Sequence, residues 1–154
     1  SIEVSDHPTY NGLKIWDAAS SELIAEKEPG VRYPSSLSFS PDGRTILVTG
    51  SSPMIIDTQT GQVLLELKAC PVCEGPSSVI WTPDSQRVLL YEGNNLGLFD
   101  LTTQSWQTMT LSTYQGAPQE WLDDQGNVLM TGNGLPTVVN VLRGEVIGLS
   151  GYFK

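Results

Sequence analysis

Histidine and cysteine are close to absent: the 154-residue chain has one histidine, His7, and two cysteines, Cys70 and Cys73. A Ser-His-Asp apparatus would have to use His7 as its base. Its neighbours Asp6 and Pro8 mark a turn, and no serine occupies a Gly-x-Ser-x-Gly setting. Charge is scarce too. Charged residues make up 16% of the chain, against about 25% in an average soluble domain. That is too little for a chain disordered by charge or for a long-helix protein. Basic residues are the smaller share, 8 Lys and Arg against 17 Asp and Glu, for a net charge of −9. They are scattered along the chain. Nucleic-acid affinity comes mainly from cationic contacts to phosphates, so no nucleic-acid partner is expected. The acidic excess reads as a solubility device, with a basic partner surface as the sharper alternative. No apolar run approaches the ~18 residues of a membrane-spanning helix. Ser1–Asp6 lacks the basic start and apolar block of a signal peptide. No membrane association is expected. A start at Ser rather than Met is that of a processed chain or an excerpt, and the compartment is not legible.

Other chemistry is thin. Cys70-Pro71-Val72-Cys73 is followed by Glu74-Gly75-Pro76, a loop rather than the helix N-terminus that lowers a thiol pKa. Three readings of the pair stay open: a structural thiol pair or short-loop disulfide, a redox-responsive pair, or half of a zinc site shared with another chain, since zinc takes four ligands. Asp123-Asp124 fills the slot that Pro41-Asp42 and Pro83-Asp84 fill elsewhere, and a hairpin turn explains it. A calcium loop needs more oxygen ligands than 123–127 offers. No glycine-rich loop leads into a helix. The expectation is no catalytic residue, no metal site, no cofactor and no enzymatic activity.

What the chain does have is a repeat. Ser36-Leu37-Ser38-Phe39-Ser40-Pro41-Asp42-Gly43 aligns with Ser78-Val79-Ile80-Trp81-Thr82-Pro83-Asp84-Ser85 at an offset of 42, and Trp81 aligns with Trp121 at 40. A second marker runs in phase. Ile15-Trp16-Asp17, Ile55-Ile56-Asp57, Leu98-Phe99-Asp100 and Val138-Val139-Asn140 are spaced by 40, 43 and 40, each followed by a polar turn. Within a period, short β-type runs alternate with turn residues. The spacing predicts four antiparallel strands per period. The second, near-continuously apolar, should be central and packed on both faces. The fourth strands (Gln62–Leu67, Trp106–Leu111, Glu145–Leu149) should be outer edges. Ser20–Lys27 falls in phase with them and is predicted to be a strand, not a helix. Phe39, Trp81 and Trp121 share a repeat position, as do Trp16 and Phe99, which points to packing between repeats.

Four strands in about forty residues is the spacing of a β-propeller blade. Ile15-Trp16-Asp17, Phe39-Ser40-Pro41-Asp42-Gly43 and Trp81-Thr82-Pro83-Asp84 resemble the repeats of WD40 propellers, in a divergent form of the type Ser-Pro-Asp-Gly. The resemblance covers nearly the whole chain, as one partial and three full repeats. It implies an all-β propeller with blades near 1–34, 35–76, 77–117 and 118–154. The family's Gly-His pair and its Asp before the third strand are missing from the corresponding loops, so its polar network is not implied. The first blade starts at its second strand, near Ile2–Ser5. The chain is therefore part of a longer propeller, half of a ring built by two copies, or a small closed ring.

Tyr10, Arg32, Tyr33, Glu92, Asn94 and Tyr114 fall in loops before the first or third strands, outside the repeat phase or in its variable slots. Those loops leave a blade on one face. The resemblance implies that this face binds peptides and proteins, and Tyr and Arg dominate interface energetics. The leading expectation is a non-catalytic scaffold that binds a protein or peptide through these six residues, with a homodimer or the remainder of a larger propeller as further partners. The alternatives are a gating or accessory domain of a larger peptidase or hydrolase, and a small-ligand or metal sensor switched by Cys70 and Cys73.

Overall fold

The computed structural model of the chain describes residues 2–4, 13–27, 36–50, 53–68, 71, 78–112, 116–132 and 136–148, with the backbone alone for 2–4, 27 and 78. Among these residues there is no helix. The chain divides into two compact units, residues 1–69 with 73–75, and residues 70–72 with 76–154.

The first unit holds two sheets. One has three strands, β1 (Ile2–Val4), β2 (Leu13–Trp16) and β3 (Leu23–Lys27), in the order β1-β2-β3. The other has four, β4 (Ser36–Phe39), β5 (Thr45–Thr49), β6 (Met54–Asp57) and β7 (Val63–Glu66), in chain order. The second unit repeats the four-stranded plan twice. Its strands are β8 (Ser78–Trp81), β9 (Arg87–Glu92), β10 (Asn95–Asp100) and β11 (Ser105–Thr110), then β12 (Ala117–Trp121), β13 (Asn127–Thr131), β14 (Thr137–Asn140) and β15 (Glu145–Val146). Neighbouring strands all pair antiparallel. The chain is all-β and built of propeller-like blades, each an open sheet with two edges. Ser20–Lys27 contributes β3, as its phase predicts.

The two sequence markers turn out to be two hairpin anchors. In the turn from β4 to β5 the Ser40 hydroxyl donates to Asp42 Oδ1 at 2.6 Å and accepts the Thr45 N–H at 3.0 Å. The Arg44 N–H donates to the same Asp42 oxygen at 3.0 Å. Thr82, Asp84 and Arg87 rebuild this knot between β8 and β9. Between β12 and β13 Leu122 stands where the hydroxyl was, and Asp123 takes over by accepting the Gln125 and Asn127 N–H groups. The second marker anchors the turn from third to fourth strand. Asp17 accepts the N–H groups of Ala19 and Ser20, Asp57 those of Gln59 and Thr60, and Asp100 those of Thr102 and Thr103. Asn140 does the same for Arg143. Each of these turns ends on a left-handed residue: Ser21 (φ +60°), Gly61 (+65°), Gln104 (+52°) and Gly144 (+73°). Gly61 is doubly constrained, because a Cβ there would lie 2.5 Å from that of Ala25.

The second strands are the core, as their composition predicts. Ile46, Leu47 and Val48 of β5, and Val88, Leu89 and Leu90 of β9, are at most 1% exposed. Each unit packs its two sheets over an apolar cluster. In the first unit Leu13 and Ile15 meet Ile46, Val48, Met54 and Ile56. In the second, Leu89, Tyr91, Leu96 and Leu98 meet Val128, Met130 and Val139, with Ile80 and Trp121 against them. At about 1.5–3 kcal/mol per fully buried aliphatic side chain, these clusters dominate the cohesion of each unit.

One expectation fails here. Phe39 is not packed like its counterparts. It is 51% exposed, whereas Trp81 is 6% exposed and Trp121 packs on its unit's cluster. Trp121 lies on β12, which packs on β8, the first strand of the preceding sheet. Among the described residues the sheet preceding Phe39 has three strands and no such partner.

The outer strands differ in regularity. β3 and β7 each carry a bulge, with Ile24 inserted between the pairs Ile15–Ala25 and Trp16–Leu23, and Leu64 between Ile55–Leu65 and Ile56–Val63. β11 pairs with β10 over six residues without interruption.

Candidate functional site

The site is built at the hairpin end of the third sheet, where the Asp100 marker closes the turn between β10 and β11. The ladder sets Arg87, Asp100 and Ser105 side by side across β9, β10 and β11. Two residues along the strands, on the same face, it sets Leu98 and Gln107. Asp100 does two jobs. Its Oδ1 accepts the Thr102 and Thr103 N–H groups, both at 2.9 Å, and its Oδ2 accepts Nε–H of Arg87 at 3.0 Å. The Thr103 amide first, then the Arg87 guanidinium, hold its carboxyl below the usual Asp range, so it is ionised at neutral pH. The pair is half-buried, with 36% of the Arg87 side chain and 26% of that of Asp100 exposed. Among the described residues Arg87 donates only through Nε, which leaves the outer guanidinium N–H groups for a ligand.

These side chains line a cavity of about 250 Å³, completed by Thr103, Trp106 and Leu142. The Trp106 ring is fixed against Phe99, with centroids 4.9 Å apart and planes tilted by 57°. The Thr103 and Ser105 hydroxyls share a hydrogen bond of 2.7 Å. Gln107 ties the third sheet to the fourth through its side-chain amide, which donates to Leu142 O at 2.9 Å and Val141 O at 3.3 Å. The cavity falls below the ~300–1,000 Å³ of drug-sized ligand pockets. It has room for one side chain or a small polar group. It offers donors from Arg87, an acceptor face from Asp100 and two hydroxyls, beside apolar Leu98 and Leu142. Among the described residues no group of three or more His, Cys, Asp or Glu side chains is arranged to hold a metal ion.

Of the six binding residues expected from sequence, Glu92 and Asn94 are brought together at the β9–β10 hairpin, on either side of left-handed Gly93 (φ +59°). The Asn94 carbonyl accepts the Leu111 N–H at 2.8 Å. They stand at the end of the sheet opposite Arg87 and Asp100, since β9 runs from Arg87 to Glu92. Tyr10, Arg32, Tyr33 and Tyr114 lie outside the described residues, as do Cys70 and Cys73. Sequence reasoning passed over Arg87 and the cavity around it. A signal was there: Thr45, Arg87 and Asn127 occupy one ladder position, facing Asp57, Asp100 and Asn140. A charged pair in a slot that is neutral on one side or both elsewhere is a departure from the repeat.

No known protein family matches the sequence, and no curated protein does. Solved structures match in number, 483 chains in all, as expected for a recurrent architecture. One is the hydrazine synthase of Kuenenia stuttgartiensis, 19% identical, with a TM-score of 0.61 over 88% of this chain. This chain spans 42% of that protein's chain. At this identity the likeness is one of fold.

Proposed function

We propose that the chain is a non-catalytic, WD40-like propeller segment that binds a protein or peptide partner. The observation that carries this reading is the Arg87–Asp100 cavity. It is sized for a side chain, has a half-exposed arginine with uncommitted donors, and has a tryptophan held in place beside it. Arginine and tryptophan are the types that most often carry interface energy. The chemistry favours binding over reaction. Asp100 is committed to the turn and to Arg87, and the Thr103 hydroxyl pairs with that of Ser105 and with the Asp100 carboxylate.

Selection of a displayed peptide library on the purified chain tests it. The selected peptides should lose about tenfold or more in affinity on Arg87→Ala, the range of an interface hot spot. The melting temperature should barely move, since a partly exposed ion pair contributes about 0–1 kcal/mol. Peptides indifferent to Arg87→Ala but weakened by Glu92→Ala or Asn94→Ala would move the surface to the opposite hairpins. A selection that returns no binders sinks the reading.

A further inference from the structure

The walls of the Arg87 cavity are set before anything enters it. One side is the third sheet, which supplies Arg87, Leu98, Asp100 and Trp106. The other is Leu142, on the turn after β14. Two contacts fix that turn. The Gln107 side-chain amide donates to the Val141 and Leu142 carbonyls. Leu142 also fills the space left by the missing side chain of Gly126, where a Cβ would stand 2.6 Å from Leu142 Cγ. The gap between these pinned walls, about 250 Å³, takes the end of one side chain.

The charge balance of the walls says which end fits. Asp100 meets four donors: the Thr102 and Thr103 amides, the Thr103 hydroxyl and Arg87 Nε–H. An ionised carboxylate accepts about four hydrogen bonds, so Asp100 is nearly saturated. Arg87 is not. A guanidinium carries five N–H groups, and among the described residues Arg87 commits only the one on Nε. Among the described residues Asp100 is also the only acid on the cavity wall. The surplus is therefore of charged donors, set beside apolar Leu98 and Leu142. A second carboxylate matches the planar outer edge of Arg87, and the two leucines cover the methylenes that carry it. A phosphate would bring about two negative charges next to Asp100, where a carboxylate brings one. The chain's net charge of −9 opposes an acid at long range. That field is screened beyond about 8 Å at physiological ionic strength, so contacts inside the cavity decide.

We propose, on the footing that the cavity is the peptide site, that what it takes from the partner is a carboxylate. Arg87 then bridges two acids, holding Asp100 through Nε–H and the peptide through its outer N–H groups. The carboxylate comes from an acidic side chain or from a chain end, which share this chemistry.

The test follows two signals of the full chain by nuclear magnetic resonance: the Arg87 Nε–H and the Trp106 indole N–H. They are identified by their loss in Arg87→Ala and Trp106→Phe. Three pentapeptides are titrated to millimolar concentration. The first is Ala-Ala-Glu-Ala-Ala with both ends blocked, the second has Gln in place of Glu, and the third is the Gln peptide with a free C-terminal carboxylate. The Glu peptide should move both signals, and the Gln peptide should bind at least about tenfold more weakly, because charge-assisted hydrogen bonds are about twice as strong as neutral ones. Arg87→Ala should erase the difference at the Trp106 signal. A response to the third peptide like that to the first extends the site to chain ends, and one like that to the second confines it to acidic side chains. Equal responses to all three, lost in Arg87→Ala, would overturn the carboxylate and leave the cavity a peptide site. A Glu preference that survives Arg87→Ala overturns the proposal, and so does silence with all three peptides. In that last case, Arg87-dependent peptides without acids from the displayed library would still uphold the cavity as the binding site.

Discussion

A single carboxylate oxygen can close a turn, and this chain uses that device repeatedly. Asp17, Asp57 and Asp100 each accept two backbone N–H groups from the turn that follows. The residue closing that turn is left-handed in all four sheets, yet glycine occupies it in only two, as Gly61 and Gly144. A non-glycine residue held there costs on the order of 1 kcal/mol. Gln104→Gly should therefore raise stability by no more than roughly 0.5 kcal/mol, after the extra chain entropy of glycine is counted. Urea unfolding of the two proteins measures it, and a lower midpoint for the variant would show that the Gln104 side chain offsets the strain. The sequence makes the recurrence of these Asp residues plain, because they keep step over four periods. Their purpose is hidden there: two apolar residues and an Asp read as a strand ending, and only the geometry shows the carboxylate folding back onto the next amides.

At the level of strands, composition and spacing reveal most of the architecture. The apolar runs of β5 and β9 announce central strands, and Pro-Asp-Gly announces a hairpin. The position of Phe39 was legible too, but its burial was not, because burial depends on the neighbouring sheet rather than on the strand that carries the ring. Trp121 poses the converse problem. Its indole Nε1 is buried without a hydrogen-bond partner among the described residues, and an unsatisfied buried donor costs about 1–3 kcal/mol. Phenylalanine already serves at the matching position 39. Trp121→Phe should leave the melting temperature unchanged or raise it, since the lost ring volume is offset by removal of the orphan N–H. A fall of several degrees would mean that packing of the larger ring on the cluster outweighs that penalty. The Arg87 cavity was missed for a related reason: its residues come from β9, β10, β11 and the turn after β14, and no local pattern joins them.

Over the whole molecule the turn carboxylates act in concert on acid stability. Asp17 is held low by the Ser20 and Ala19 amides, Asp42 by the Ser40 hydroxyl, Asp57 by the Thr60 hydroxyl, Asp84 by the Thr82 hydroxyl and Asp100 by the Thr103 amide. Each folded value lies below the unfolded one, about 3.9 for Asp. The stabilisation is therefore complete above that pH and is lost as pH falls through the folded values. A melting series should be level from pH 7 to about 5 and decline below about 4. A melting temperature that holds or climbs on acidification would deny these carboxylates their part. The bulges at Ile24 and Leu64 bear on a different property, the behaviour of concentrated solutions. Molecules that stack into fibrils do so by copying an uninterrupted ladder from one to the next. β3 and β7 are each out of step by one residue, and β15 is two residues long. Of the four outer strands only β11 presents six residues in unbroken register, and it is dressed with Ser105, Gln107, Thr108 and Thr110. Colloidal failure, when the protein is pushed to its solubility limit, would start at the third sheet.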